Sequence, residues 1–288
     1  MDYSRFASSN RYYTGAERKK GIVINGIAHI VKFQKNSPEG LRFNHISEYI
    51  GSHIFEMLDI DVQKTSLGTC DGKNVVVIED FLGEEEVFVP FNGVGDSSLE
   101  RDKERYQYTY DDIMYMLNDN IKLTDVKETI ERFWDIYIVD ALTGNFDRHG
   151  SNWGFVKKNN QYRIAPVFDN GSCLFPSLNT DEKIMQVLNC DNEINKRIYE
   201  FATSQIKIQN KKSSYFEVIS KLQFKECNKA LIRIVEKIDM DKIYELINNL
   251  DMISNLRKEF YCTMLRHRYE KILLESYNDL IKKKGKKL

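Results

Sequence analysis

Long apolar runs are missing from this 288-residue chain. None approaches the roughly 20 residues that span a bilayer, and the N-terminus, MDYSRFASSNRYYTG, lacks the apolar core of a signal peptide. A cytoplasmic protein with no membrane insertion is the expectation. An excess of either charge is missing too: 42 Lys and Arg stand against 43 Asp and Glu, for a net charge of -1. Such a balance gives no general attraction to nucleic acid, and no nucleic-acid partner is expected. Paired cysteines are absent as well. Cys70, Cys173, Cys190, Cys227 and Cys262 are scattered, odd in number and without the spacing that zinc or a redox dithiol needs. They read as small buried hydrophobes in a reducing compartment. Internal repeats and low-complexity linkers are not found either. Only the last residues, KKKGKKL, are lopsided, and they read as a solvated tail. What remains is 42% hydrophobic and 30% charged, an ordinary globular composition long enough for one large or two modest domains.

Residues 21–34, GIVINGIAHIVKFQ, are two β-branched runs separated by Asn25-Gly26, the pair that best tolerates positive φ at both centres of a tight turn. They predict a hairpin. FNHISEYIGSHIFEMLDI follows with Ile46, Tyr49, Ile50, His53, Ile54 and Met57 at helical spacing. Short strands are expected near VQKTSLG and KNVVVIEDF, which makes residues 1–82 a small, β-rich N-lobe. From about residue 108 the pattern is helical, with YDDIMYMLNDNI and TDVKETIERFWDIYIVDAL, the second starting after Thr124 as a candidate N-cap. NWGFVKKNNQYRIAPVFD interrupts as one embedded hairpin with KKNNQ as its turn. The segments DEKIMQVLN, SYFEVISKLQF, NKALIRIVEKI, MDKIYELINNL and LRKEFYCTMLRHRYEKILLESYNDLIKKK complete a mainly helical C-lobe over residues 83–288.

The stretch TGNFDRHGSNWGF concentrates Asn145, Asp147, Arg148, His149, Ser151 and Asn152 directly after an apolar helix. Asn152 precedes the first strand of the embedded hairpin and Asp169 follows the second. With the turn centred between Asn160 and Gln161, the two face one another at the open end. An amide oxygen and a carboxylate on short loops suit a hard cation, and Mg²⁺ is commonly held by one or two such groups plus substrate phosphates. Asp147 lies five residues before Asn152, the spacing of base and metal ligand in a protein-kinase catalytic loop, and Asp169 in FDNG sits where the magnesium loop would begin. Upstream, Lys32 on the hairpin and Glu48 on the following helix stand in the order of the kinase lysine–glutamate pair.

GNFDRHGSNWGF and IAPVFDNGSCL resemble the catalytic and magnesium loops of the HipA-like serine/threonine kinases, and TGAERKKGIVINGIAHIVKF with SEYIGSHIFEMLDIDV resembles their N-lobe. The likeness covers most of residues 12–175 and is greatest to a compact branch of that family. It implies a two-lobed α+β kinase fold, shared by HipA and phosphoinositide kinases, and an enzyme that uses ATP and Mg²⁺ on a protein substrate. By resemblance, Lys32 binds phosphate, Glu48 positions it, Asp147 is the catalytic base, and Asn152 and Asp169 hold magnesium. Backbone at Glu79, Asp80 and Phe81 would meet adenine. The phosphate loop, YYTGAERKKG, has Gly15 and Gly21 but no dense glycine pattern, leaving Arg18, Lys19 and Lys20 to supply charge. Larger family toxins carry an N-terminal domain that this sequence lacks, which leaves open whether an antitoxin regulates this protein. A serine in the family's phosphate loop is autophosphorylated, which points here to Ser8, Ser9 or Thr14.

Other readings compete. Asp-Arg-His followed by Asn also resembles phosphoinositide kinases, where His149 would assist near the transferred phosphoryl group, and a small-molecule kinase would look the same. A metal-dependent phosphoesterase centre would use Asp147, His149, Asn152 and Asp169 but leaves Lys32 and Glu48 unexplained. A pseudokinase binding module is disfavoured because no essential group is missing. The sequence identifies neither the acceptor nor the oligomeric state.

Overall fold

The computed structural model describes residues 1–11, 18–91, 108–118, 125–159, 161–208 and 211–285. Strands β1 (Lys19–Ile24) and β2 (Ile27–Phe33) form the expected hairpin, and both turn residues take positive φ, 50° at Asn25 and 82° at Gly26. A short ladder, β3 (Asn36–Ser37) with β4 (Gly40–Leu41), leads into helix α1 (Asn44–Met57). Strands β5 (Thr65–Cys70) and β6 (Lys73–Glu79) complete an antiparallel sheet in the order β1-β2-β6-β5. Alternation along these strands sends Ile22, Val31, Phe33, Val75 and Val77 into a small core with Tyr3. Helix α1 packs against β5 and β6, so the helix that bears Glu48 lies on the sheet that bears Lys32.

Beyond β6, strand β7 (Val87–Pro90) leaves that sheet and pairs instead with the embedded hairpin. Strand β8 (Tyr108–Thr109), helix α2 (Tyr110–Asn118) and helix α3 (Val126–Thr143) follow. The N-cap of α3 is Asp125, whose side chain accepts from Glu128 N at 2.8 Å; the expected cap, Thr124, lies outside the described residues. Gly144, at φ 66°, ends the helix in the left-handed conformation that glycine adopts without steric cost. The embedded hairpin is β9 (Gly154–Lys158) and β10 (Gln161–Ile164), joined to β7 in the order β10-β9-β7. Its register differs from the expected one. Lys158 pairs with Gln161, so the loop is two residues rather than five, and Asn159 adopts φ 49° to close it. Continuing that register sets Asn152 opposite Val167, with Asp169 two residues further on.

Helices α4 (Asp181–Leu188) and α5 (Asp191–Tyr199) precede a second hairpin in this half, β11 (Thr203–Ile208) and β12 (Lys211–Ser214), whose β11 also runs parallel to β8. The sequence reading expected one hairpin here. TSQIKI and KKSS carry few apolar residues and give a weak strand signal. Helices α6 (Tyr215–Ser220), α7 (Lys225–Val235), α8 (Met240–Asn248) and α9 (Asn255–Arg268) follow, and α9 runs through a π-helical stretch, Tyr269–Leu274, into α10 (Glu275–Gly285). The main core is built on Trp134, Ile138 and Leu142 of α3, with Leu231 of α7 and Phe260 and Met264 of α9. A β-rich N-terminal region followed by a mainly helical C-terminal part is the α+β order the sequence implied. Cys70, Cys173 and Cys227 are buried thiols, while Cys190 and Cys262 are half-buried. Among the described residues, no helix is long and apolar enough to cross a membrane.

Candidate active site

Lys32, near the end of β2, is buried together with its neighbours Val31 and Phe33. Its Nζ lies 3.0 Å from Glu48 Oε2 and 3.1 Å from Asp169 Oδ1. One ammonium thus joins the N-terminal sheet, helix α1 and the loop after β10. Glu48 is 2% exposed, and its second oxygen accepts from Gln63 Nε2 and from Asn170 N, the latter at 2.8 Å. A buried carboxylate needs such partners, because each lone pair taken from water must be satisfied. The loop Asp169–Gly171 sits tightly on α1. A Cβ on Gly171 would come 3.2 Å from Glu48 Oε2, and one on Gly51 of the helix would come 2.7 Å from Asn170 Cβ. Asn170 Nδ2 donates to Ser52 Oγ at 3.1 Å. Asp169 has φ 58°, a left-handed conformation that short polar side chains tolerate better than most.

A second hub lies beneath. Arg148 is buried and donates from Nε to Asp140 Oδ2 at 2.9 Å and from Nη2 to Asp140 Oδ1 at 3.0 Å, a bidentate pair with a carboxylate on α3. Nη2 also reaches Asn170 Oδ1 at 2.5 Å, and Nη1 donates to the carbonyls of Asn152, at 3.1 Å, and Phe168. Asn145 Nδ2 adds a bond to Asp140 Oδ1 at 3.0 Å. One guanidinium therefore ties residues 148–152 to residues 168–170. Burial draws the guanidinium down, but the Asp140 carboxylate more than offsets it and raises its pKa. Sequence reasoning noted Arg148 and Asn145 without giving them a role and missed Asp140 and Asn170; the available signal was a carboxylate inside the apolar run WDIYIVDAL.

Asp147 is half-exposed at the mouth of this arrangement. Its N–H donates to Asn145 Oδ1 at 3.1 Å, and its carbonyl accepts from Asn152 Nδ2 at 2.7 Å. His149 Nε2 stands 4.0 Å from Asp147 Oδ1, while His149 Nδ1 accepts from Ser151 N at 3.2 Å. Burial pushes the Asp147 carboxyl above the ordinary aspartate value and the charge of Asp169 adds to this, against the opposing pull of His149, Lys212 and Lys35. Asp169 goes the other way. Burial alone would raise it, but the charge and hydrogen bond of Lys32 hold it below the usual value.

The residues expected on the adenine side lie at the C-terminal end of β6, a central strand of the sheet. Glu79 N and Asp80 N are engaged within it, donating to Lys64 O at 3.0 Å and Ala28 O at 2.9 Å. Phe81 packs against Phe88 and Phe168, with ring centroids 6.4 and 5.9 Å apart, and Phe168 immediately precedes Asp169. Arg11 Nη1 reaches Asp80 Oδ2 at 2.6 Å and Leu82 O at 2.7 Å. Gly15 and Thr14 lie outside the described residues. Ser8 bridges to Ile22, and Ser9 N donates to Gly21 O at 2.9 Å. Among the described residues, no group of three or more His, Cys, Asp and Glu is gathered to hold a metal. The structure thus brings Lys32, Glu48 and Asp169 into direct contact, and Asp147, His149 and Asn152 onto one loop bound to theirs through Arg148.

Comparison with known proteins identifies the family. The family model of the HipA-like C-terminal domain matches residues 13–240. The serine/threonine-protein kinase CtkA of Helicobacter pylori is 36% identical over 269 residues, which cover 91% of this chain and 82% of that protein. The crystal structure of the H. pylori proinflammatory kinase CtkA superposes with a TM-score of 0.88 at 33% identity, covering 98% of each chain. HipA of Shewanella oneidensis, solved with HipB and operator DNA, has a TM-score of 0.57 at 16% identity over 94% of this chain and 68% of its own, a likeness of fold. With matches of this extent, the chain belongs to the family of the HipA-like C-terminal domain and is a kinase of the HipA type.

Proposed function

We propose that the protein transfers the γ-phosphoryl group of Mg·ATP to a serine or threonine hydroxyl of a protein substrate. In this reading residues 1–82 form the lobe that covers the nucleotide, and residues 83–288 the lobe that bears the catalytic and magnesium loops. The observation that carries it is Lys32, held between Glu48 at 3.0 Å and Asp169 at 3.1 Å. Phosphoryl transfer depends on positioning and on charge placed around the phosphates, and a lysine fixed by a buried glutamate is the part that does both.

The remaining roles follow from the donor set. Asn152 engages its Nδ2 on the Asp147 carbonyl, so Oδ1 is the atom it offers to a cation. Asp169 gives one oxygen to Lys32 and has a second for metal. Two hard oxygens on facing loops fit Mg²⁺, which completes its shell with phosphate oxygens and water. Bound there, Mg²⁺ would neutralise charge on the phosphates. Asp147, half-exposed and fixed through its backbone, orients the acceptor hydroxyl and takes its proton. His149, 4.0 Å away, steadies the Asp147 charge when protonated. Phe81 and the carbonyls at the end of β6 line the adenine side, since the amides of Glu79 and Asp80 are already bonded. Self-modification at Ser8, Ser9 or Thr14, which precede the basic run Arg18, Lys19 and Lys20 in the sequence, belongs to the same reading. Incubation with γ-labelled ATP, Mg²⁺ and mixed protein substrates tests the whole: label in phosphoserine or phosphothreonine is expected, and release of free phosphate alone would overturn it.

A further inference from the structure

The hairpin β11–β12, which the sequence reading did not find, is fastened to the catalytic loop at both ends. Before it, the Phe201 ring packs on Phe146 with centroids 5.4 Å apart; after it, Tyr215 Oη donates to Asn145 O at 2.7 Å. Phe146 is the residue next to Asp147. Between these anchors the segment from Phe201 to Ser214 contains Lys207, Lys211 and Lys212 and no Asp or Glu. The register sets Lys207 directly opposite Lys212, on one face of the ladder. Like charges so placed in a strand pair destabilise it unless a counter-charge intervenes. Among the described residues, no carboxylate forms an ion pair with Lys207, Lys211 or Lys212. Lys211 and Lys212 are exposed, and Lys207 is half-buried. The field of Lys212 reaches the Asp147 carboxylate, and that of Lys35, an exposed residue just after β2, reaches it too. Lys212 and Lys35 thus add positive charge around the base, while the chain as a whole is close to neutral.

We infer that the phosphoacceptor is an acidic polypeptide segment, whose Asp or Glu side chains near the target serine or threonine sit on the Lys207–Lys212 face of the β11–β12 hairpin. This rests on the kinase reading and adds a substrate class to it. A carboxylate seated there relieves the like-charge pair and holds the hydroxyl-bearing residue against Asp147. Arginine or lysine in the same place would add a third cation to that pair.

The test is steady-state transfer from Mg·ATP to three serine peptides that differ only in flanking residues, Glu, Gln or Lys. Higher kcat/KM for the Glu than for the Gln peptide is expected, with the Lys peptide poorest and the difference residing in KM. Exposed ion pairs contribute about 1.5- to 5-fold each, so Lys207→Ala with Lys212→Ala is expected to lower the Glu/Gln ratio about 2- to 25-fold. Lys271→Ala, which removes the same charge beyond α9, should leave that ratio unchanged. Raising salt should shrink the ratio, because exposed charges are screened. Equal use of the Glu and Gln peptides, or an undiminished ratio in the double variant, would overturn the acidic preference while leaving the kinase reading in place. Transfer to phosphoinositide vesicles and to no peptide would overturn both the polypeptide acceptor and its acidic class. Absence of transfer to any acceptor, and of label on the protein itself, would sink the kinase reading and this inference with it.

Discussion

Replacing Arg148 with Met removes the cation that joins the two functional loops, and its cost follows from what is left behind. Asp140 is 1% exposed and receives Arg148 at 2.9 and 3.0 Å; without it, among the described residues only Asn145 Nδ2, at 3.0 Å, still donates to the carboxylate. Removing one member of a buried ion pair typically costs about 3–5 kcal/mol, because the other charge stays buried and uncompensated. Against a total stability of about 5–15 kcal/mol, that is a large fraction. The carbonyls of Asn152 and Phe168 and the Asn170 amide oxygen lose a donor at the same time. Urea unfolding followed by circular dichroism should therefore show Arg148→Met destabilised by about 3–5 kcal/mol. Adding Asp140→Leu should recover much of the loss, since an apolar pair in place of a buried ion pair is often neutral. Phosphoryl transfer should not recover, because the ties from residue 148 to the 168–170 loop are still absent. A loss below about 1 kcal/mol in the single variant, or a double variant that regains activity, would refute the view of Arg148 as the strut between the loops.

Gly51→Ala should destabilise by about 1–3 kcal/mol, although alanine is the better helix former, because the new Cβ would lie 2.7 Å from Asn170 Cβ; chemical denaturation with a transfer assay checks it. The raised pKa of Asp147 carries a sign: the native state holds that proton more tightly than the unfolded chain, so stability from this group is present below the unfolded value of about 3.9 and is lost as pH rises through the folded value. Asp147→Asn should then be at least as thermostable as the native chain at neutral pH, with the difference closing in acid, and the acid limb of kcat in the native enzyme should lie above the ordinary aspartate value. Phosphate at Ser8, Ser9 or Thr14 after incubation with Mg·ATP, absent from Asp147→Asn, is the expected mass-spectrometric result, and activity should fall as it accumulates because the added charge is drawn to Arg11 and Arg18.

The parts of the fold legible in the sequence were those with a strong local cause. Asn25-Gly26 between β-branched runs gave β1 and β2, and the apolar spacing from Ile46 to Met57 gave α1. Lys32 and Glu48 were found through their order on those elements, and the structure brings them within 3.0 Å. The register of β9 and β10 was misread because KKNNQ looks like a five-residue turn, whereas pairing persists through Lys158 and Gln161. The hairpin β11–β12 escaped because its stability comes from β8, from Phe146 against Phe201 and from Tyr215 on the catalytic loop rather than from its own polar strands. The Asp140–Arg148–Asn170 network escaped for the same reason: its members converge from a helix and two loops, and no local period relates them.

In the proposed mechanism Asp169 belongs to the metal–nucleotide site while Asp147 serves only the chemistry. Titration calorimetry of Mg·ATP into the native chain, Asp147→Asn and Asp169→Asn measures this directly. Affinity should be nearly unchanged in Asp147→Asn, which nonetheless transfers no phosphoryl group, and should fall about tenfold or more in Asp169→Asn, since an ionised contact is worth about 1.5–3 kcal/mol. Equal loss of affinity in the two variants, or none in Asp169→Asn, would overturn this assignment of the two carboxylates.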